Sequence, residues 1–209
     1  MANDFDSFVN DVDDTLCAVC FDTLEEELNN EKSEPRPCLT KLTSKNVKCP
    51  LFVTWNFKDG DDEELRGCIG TLEPTSLSNL KRYAHMSAFQ DSRFSPISAP
   101  ELENLVCRLS LLHSYEPCKN YLDWEVGKHG VLLEFEVNGR GYSATYLPEV
   151  ALEHNMTKEV AIEQLIRKSG YRGSVTDSLL SSLQVTRYQS KKVKMDYREY
   201  KKYTNQNYK

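Results

Sequence analysis

Residues 131–146 read VLLEFEVNGRGYSATY, two strand-forming runs on either side of Asn138-Gly139. Asparagine and glycine accept the positive φ angles of a tight two-residue turn, so two antiparallel strands, 131–137 and 140–146, are expected to meet there. Upstream, runs 51–57 and 65–70 flank the turn-rich Lys58-Asp59-Gly60-Asp61 and predict a second hairpin. Leu105, Cys107, Leu109 and Leu111 alternate at period two, a half-buried strand, and residues 183–188 read as another.

Helical patterns separate these strands. Cys17, Cys20, Phe21, Leu24 and Leu28 recur at i, i+3, i+4, i+7 and i+11, which puts them on one helix face. Residues 76–89 carry Leu77, Leu80, Ala84 and Ala88 in the same way. A helical stretch begins at Pro148, and Thr157 is placed to cap a helix over 158–168. That helix turns Val160, Ala161, Leu165 and Ile166 inward and stops at Gly170. A short helix is expected near 196–203. Residues 29–50, with Pro35, Pro37 and Pro50, read as a long loop. Hairpins mixed with separate helices, without strict alternation of strand and helix, point to an α+β fold with a largely antiparallel sheet.

The chain has 209 residues, enough for one large domain or two small ones sharing a core. It contains no run of about 18 apolar residues, so a membrane-spanning helix is not expected. The net charge is −6, but its distribution is uneven. Residues 1–34 hold eleven acids and one base, whereas residues 187–209 hold eight bases and two acids. The two ends are therefore solvated or close together; capture of nucleic acid by the tail is the sharper alternative, and the overall negative charge counts against it. Residues 1–14 combine many aspartates with few apolar groups, and a disordered lead is expected before a folded unit over 15–205. The seven cysteines are odd in number and follow no basic-then-apolar leader pattern. They are expected to be reduced thiols in the cytoplasm or nucleus, which leaves the sequon Asn155-Met156-Thr157 idle.

The phosphate-loop, dinucleotide, zinc-protease and serine-hydrolase signatures are all missing, and no cofactor or metal is expected. Cys17 and Cys20 form a C-x-x-C, but structural zinc takes four ligands and no second pair stands nearby. Both sulfurs fall on the helix stripe, which favours packing. Residues 65–70 read LRGCIG, a cysteine flanked by glycines at a strand end. Glycine there admits a sharp turn or a close ligand, and a thiol beside Arg66 could serve as a nucleophile. Alternatively the glycines mark a bulge or tight packing, and Cys68 is a small buried side chain.

Together with LRGCIG, the segments DSRF (91–94), YLDWEVG (121–127), His129-Gly130, ATYLPEV (144–150) and Thr186-Arg187-Tyr188 resemble the landmarks of the AMMECR-type domain family. The resemblance runs from about residue 17 to 203. It implies an α+β fold of two intertwined subdomains around a barrel-like sheet. It implies no firm activity, only roles proposed in transcription, replication, repair or translation. Microbial relatives occur with Memo-like and radical-SAM proteins, which implies a Memo-like partner and hints at redox or radical chemistry.

Placed on the expected elements, these motifs fall at element ends, where scaffolds expose functional groups. In an enzyme Cys68 would be the nucleophile, His129 or Glu149 the general base, and Arg66 or Arg93 the anion holder. In a binding or regulatory module, Arg66, Arg93, Trp124 and His129 would line a groove for a protein or small-molecule ligand, with Gly67, Gly70, Asp91, Ser92 and Tyr146 as further binding residues. Convergence of Cys68, Asp91, Arg93, His129 and Glu149 on one concave surface is the geometric expectation. Each has a structural alternative: Asp91 and Arg93 pair with each other, Trp124 and Tyr146 join the core, and His129 serves a turn. His85 is assigned to packing.

Overall fold

The computed structural model describes residues 4–30 and 32–207. The first apolar stripe forms α1 (Thr15–Asn29), with Thr15 N–H donating to the Asp13 carboxylate at its start and Asn30 ending it at φ 56°. Ten consecutive residues, from Leu16 to Glu25, are buried, so α1 is enclosed on all sides and not on one face. Cys17 and Cys20 are both fully buried within it.

Two stretches expected to lack structure have it. Asp4–Asp11 forms a 3-10 helix, with Phe5 fully buried in the core and Phe8 and Val9 packed against it. Within the expected loop lies α2 (Pro37–Ser44). Pro37 stands in its first turn, where the missing N–H costs nothing and the fixed φ favours the helix. The next elements are β1 (Lys48–Asp59) and β2 (Asp62–Ser76), which pair antiparallel across Gly60, then α3 (Leu80–Phe89) and β3 (Leu105–Pro117).

The second hairpin is β4 (Gly130–Val137) and β5 (Arg140–Tyr146). Its turn has Asn138 at φ 53° and Gly139 at φ 77°, as the residue types require. It is followed by α4 (Pro148–Glu153), α5 (Lys158–Lys168), α6 (Asp177–Ser182), β6 (Gln184–Asp196) and α7 (Tyr197–Asn207). Thr157 caps α5 by accepting from the Val160 N–H. The inward positions are Ala161, Ile162, Leu165 and Ile166; Val160 is 43% exposed and does not face the core.

The fold is α+β, with strand order β2-β1-β3-β6-β4-β5. Among the described residues no helix is long and apolar enough to cross a membrane. Two compact units divide the chain. Among the described residues, one comprises those up to Leu112 together with those from Lys191 onward; the other is His113–Ser190. The first is built on α1, α3 and one face of the β1–β2–β3 sheet. Here the acidic front and basic tail meet: Lys201 pairs with Glu25 at 2.7 Å, and the Lys194 backbone N–H donates to Asp14. The second unit packs Leu133, Phe135 and Val185 against Ile162, Leu165 and Ile166 of α5.

Candidate functional site

Strand alternation decides which side chains stand beside Cys68. Leu51, Val53 and Trp55 of β1 and their partners Leu111, Leu109 and Cys107 of β3 are fully buried on the core face. Thr54 faces the other way, opposite Cys68 on β2 and Arg108 on β3. Trp55 pairs with Gly67 and Asn56 with Leu65, so Arg66 is the extra residue of a bulge.

The two glycines of LRGCIG serve close packing. A Cβ on Gly67 would collide with the Ser87 carbonyl oxygen of α3, and one on Gly70 with the Leu51 carbonyl oxygen and Phe52 ring. Neither position has the positive φ that would make glycine conformationally necessary. They let α3 and β1 approach the backbone of β2.

Between them Cys68 is pinned at both backbone groups. Its N–H donates to Asp91 Oδ2 at 2.9 Å, and its carbonyl accepts from Arg93 Nη2 at 3.2 Å. Arg93 also grips Asp91, through Nη2 at 2.7 Å and Nε at 3.0 Å, and its backbone N–H donates to the same carboxylate. The Arg93 guanidinium, joined by the Cys68 and Arg93 amides, holds the Asp91 carboxyl well below the usual carboxylate range despite burial. Ser92 is exposed between them. The Cys68 thiol is half-buried and accepts from Thr54 Oγ1 at 3.2 Å.

Arg66 is engaged elsewhere. Its guanidinium donates to Glu101, to the Ser95 carbonyl at 2.7 Å and to the Pro96 carbonyl at 3.2 Å. Glu101 in turn accepts from Ser98, closing the cap of the 3-10 helix Ala99–Asn104. Arg66 thus fastens the segment after DSRF to β2. Sequence reading missed a charged group on the Thr54 face: Glu63 accepts from Arg108 Nη2 at 2.6 Å and from Lys194 Nζ at 2.7 Å. Only the alternation within 51–57 hinted at that face, because partners 45 and 131 positions apart leave no spacing signal.

The remaining candidates belong to the unit His113–Ser190. Trp124 is buried, and its Nε1 donates to the Tyr121 carbonyl at 3.1 Å. His129 is 5% exposed, and its Nδ1 accepts the Glu125 N–H at 3.0 Å. That bond leaves the proton on Nε2. Burial, then the Arg187 and Lys128 charges, push the imidazole below its ordinary pKa, so it is neutral at pH 7. Arg187 ties the motif down by pairing with Glu116 and Asp123. Gly130 lies under the ring of Tyr188, whose hydroxyl donates to the Tyr146 carbonyl at 3.0 Å. Tyr146 is half-buried with Lys168 Nζ 4.8 Å from its ring centre, and Glu149 stands in the first turn of α4.

The fold and site define an α+β protein whose ordered motifs fix loops onto strands and leave one half-exposed thiol in LRGCIG. The chain belongs to the AMMECR1 family, whose model matches residues 17–193. It is 47% identical over 193 residues to an uncharacterized protein of Arabidopsis thaliana, spanning 90% of this chain and 87% of the relative. It is 42% identical to an uncharacterized protein of Schizosaccharomyces pombe, spanning 88% and 93% of the two chains. The crystal structure of an uncharacterized protein from Pyrococcus horikoshii is similar, with TM-score 0.64 and 25% identity, over 85% of this chain and 88% of that one.

Proposed function

We propose that the protein is a binding or regulatory module that holds a small molecule or a partner's segment at Cys68. The observation that supports this reading is the division of labour within the motif. Asp91 and Arg93 hold the Cys68 backbone, Arg66 holds the neighbouring loop, and the Cys68 and Thr54 side chains stay half-exposed on the sheet face. A group fixed in this way is preorganised, so a ligand meets little ordering cost at the site itself. All seven cysteines are free thiols, which supports a reducing compartment, cytoplasm or nucleus. A Memo-like protein is the partner to try first.

A second reading, Cys68 as an enzyme nucleophile, is favoured by two details: the Thr54 hydroxyl donates to its sulfur, and the thiolate form would sit within the field of Arg93. Capture of ligands and partners by wild type and by Cys68→Ala tests the binding reading. The variant keeps both backbone bonds of residue 68, so its melting temperature should stay within a few degrees while the captured species is lost. Equal capture by both proteins would overturn the reading. A Cys68-linked adduct formed and released with turnover would select the enzyme.

A further inference from the structure

A second polar site lies within the first unit, between α1, the segment entering α2, and α7. Its wall is built on buried charge: Asp22 is fully buried, Glu25 is 2% exposed and Arg36 is 8% exposed. Arg36 is held rigidly. Its Nε and Nη2 clasp the two Asp22 oxygens at 2.6 and 2.5 Å, and its guanidinium lies over the rings of Tyr200 and Tyr203. Nη2 also reaches Thr204 Oγ1 at 3.5 Å. Nη1 donates to nothing among the described residues, although the side chain is more than nine-tenths buried.

That guanidinium borders a cavity of about 360 Å³ whose lining includes Lys32, Ser33 and Thr204. Lys32 makes no ion pair among the described residues. The carboxylates in the wall are already matched. Asp22 takes Arg36 and the Tyr200 hydroxyl; Glu25 takes Lys201, the Tyr197 hydroxyl and Asn29. Glu26 beyond them takes Lys81 and Ser33. The charged groups lining the cavity are two cations, Lys32 and Arg36, and two anions, Asp22 and Glu25; both carboxylates are matched, and the uncommitted donors among the described residues belong to Arg36 and Lys32.

An oriented guanidinium edge bordering a cavity, with an ammonium at its rim that makes no ion pair among the described residues, matches an oxyanion. Two cationic heads favour a group carrying close to two charges and three acceptor oxygens over a carboxylate. We propose that this cavity binds the phosphoryl group of a small phosphate ester, with Arg36 Nη1 and Lys32 as the charged contacts; the Ser33 and Thr204 hydroxyls beside it already donate to Glu26 and to the Tyr200 carbonyl. The site is separate from the Cys68 reading and stands whether or not that reading does.

The test uses the full chain and inorganic phosphate as probe, against potassium chloride of matched ionic strength and potassium acetate. Phosphate should raise the melting temperature in a saturable way, and NMR shift changes should centre on the Ser33 and Thr204 amides. Lys32→Glu, at an exposed position with no ion pair among the described residues, should keep the fold and weaken phosphate at least about tenfold. Arg36→Lys keeps the charge but loses the fork, and should also weaken it. No response beyond chloride, or an unchanged response in Lys32→Glu, would overturn the proposal. An equal response to acetate would overturn the preference for phosphate.

Discussion

Gly67→Ala is the sharpest test of how LRGCIG is built. The added methyl would be driven into the Ser87 carbonyl oxygen, a backbone atom in the last turn of α3 and not the end of a flexible side chain. Relief requires α3 to lift from β2. That helix buries Leu80, Ala84, Ser87 and Ala88 against the core, and the Trp55 Nε1 bond to the Ala84 carbonyl, 3.3 Å long, crosses the same contact. Overpacking of about 1–3 kcal/mol plus a weakened hydrogen bond of about 1 kcal/mol gives a loss of about 2–4 kcal/mol. At about 2–4 °C per kcal/mol for a chain of this size, the melting temperature should fall by about 4–16 °C. Gly141→Ala is the control: it also lies in a strand, its φ is not positive, and no atom lies within 4 Å of the added carbon. Its melting temperature, followed by circular dichroism and checked by urea titration, should move by no more than about 2 °C. If Gly67→Ala melts with the control, the close approach of α3 is not what requires glycine at this position.

Asp91→Asn should destabilise by about 1.5–3 kcal/mol, because the Cys68 and Arg93 donors lose a charged acceptor. Since the folded Asp91 pKa is depressed, its stabilisation is complete above the unfolded value of about 3.9 and is lost as pH falls through the folded value. The gap between wild type and variant should therefore narrow in melts taken progressively below pH 4, and a constant gap would contradict the assignment. With iodoacetamide at neutral pH, peptide mapping should find Cys68 labelled first: Cys17, Cys20, Cys49 and Cys107 are buried, and burial pushes the Cys38 and Cys118 thiols up. Faster labelling of Cys38 or Cys118 would refute this. Deleting residues 2–13, harmless for a disordered lead, should instead lower the melting temperature by several degrees, since fully burying one phenylalanine contributes about 1.5–3 kcal/mol and Phe5 is fully buried. An unchanged melt would mean that Phe5 contributes nothing to the core.

The elements that sequence reading found are those whose periodicity or turn chemistry is self-contained. Asn138-Gly139 fixes its hairpin locally, and the stripe of Leu77, Leu80, Ala84 and Ala88 is buried as its spacing requires. What it missed depends on partners remote in the chain. Phe5 lies among aspartates and is buried because a core assembled from distant elements receives it. The prolines around residue 36 suggest a break, yet one of them opens α2. The six residues of α6 are too few to show a period, although Thr176 caps them. At the site, the Asp91–Arg93 pair two positions apart was legible as an alternative. Their joint hold on Cys68, and the reach of Arg66 to Glu101, join groups 23 to 35 positions apart and were not.

The first unit is discontinuous, with α7 supplying Tyr197, Tyr200 and Lys201 to carboxylates on α1. Protein synthesis proceeds from the N-terminus, and domains fold as units once their chain is available. Until the last helix leaves the ribosome, Asp22 lacks its tyrosine and Glu25 lacks both its tyrosine and its lysine. The unit His113–Ser190, encoded later than most of the first, has its whole chain sooner. The order of completion during biosynthesis is therefore the reverse of the order in which the two units begin to be made, and a transcript truncated before α7 would yield one finished unit beside one with exposed acidic and aromatic surface.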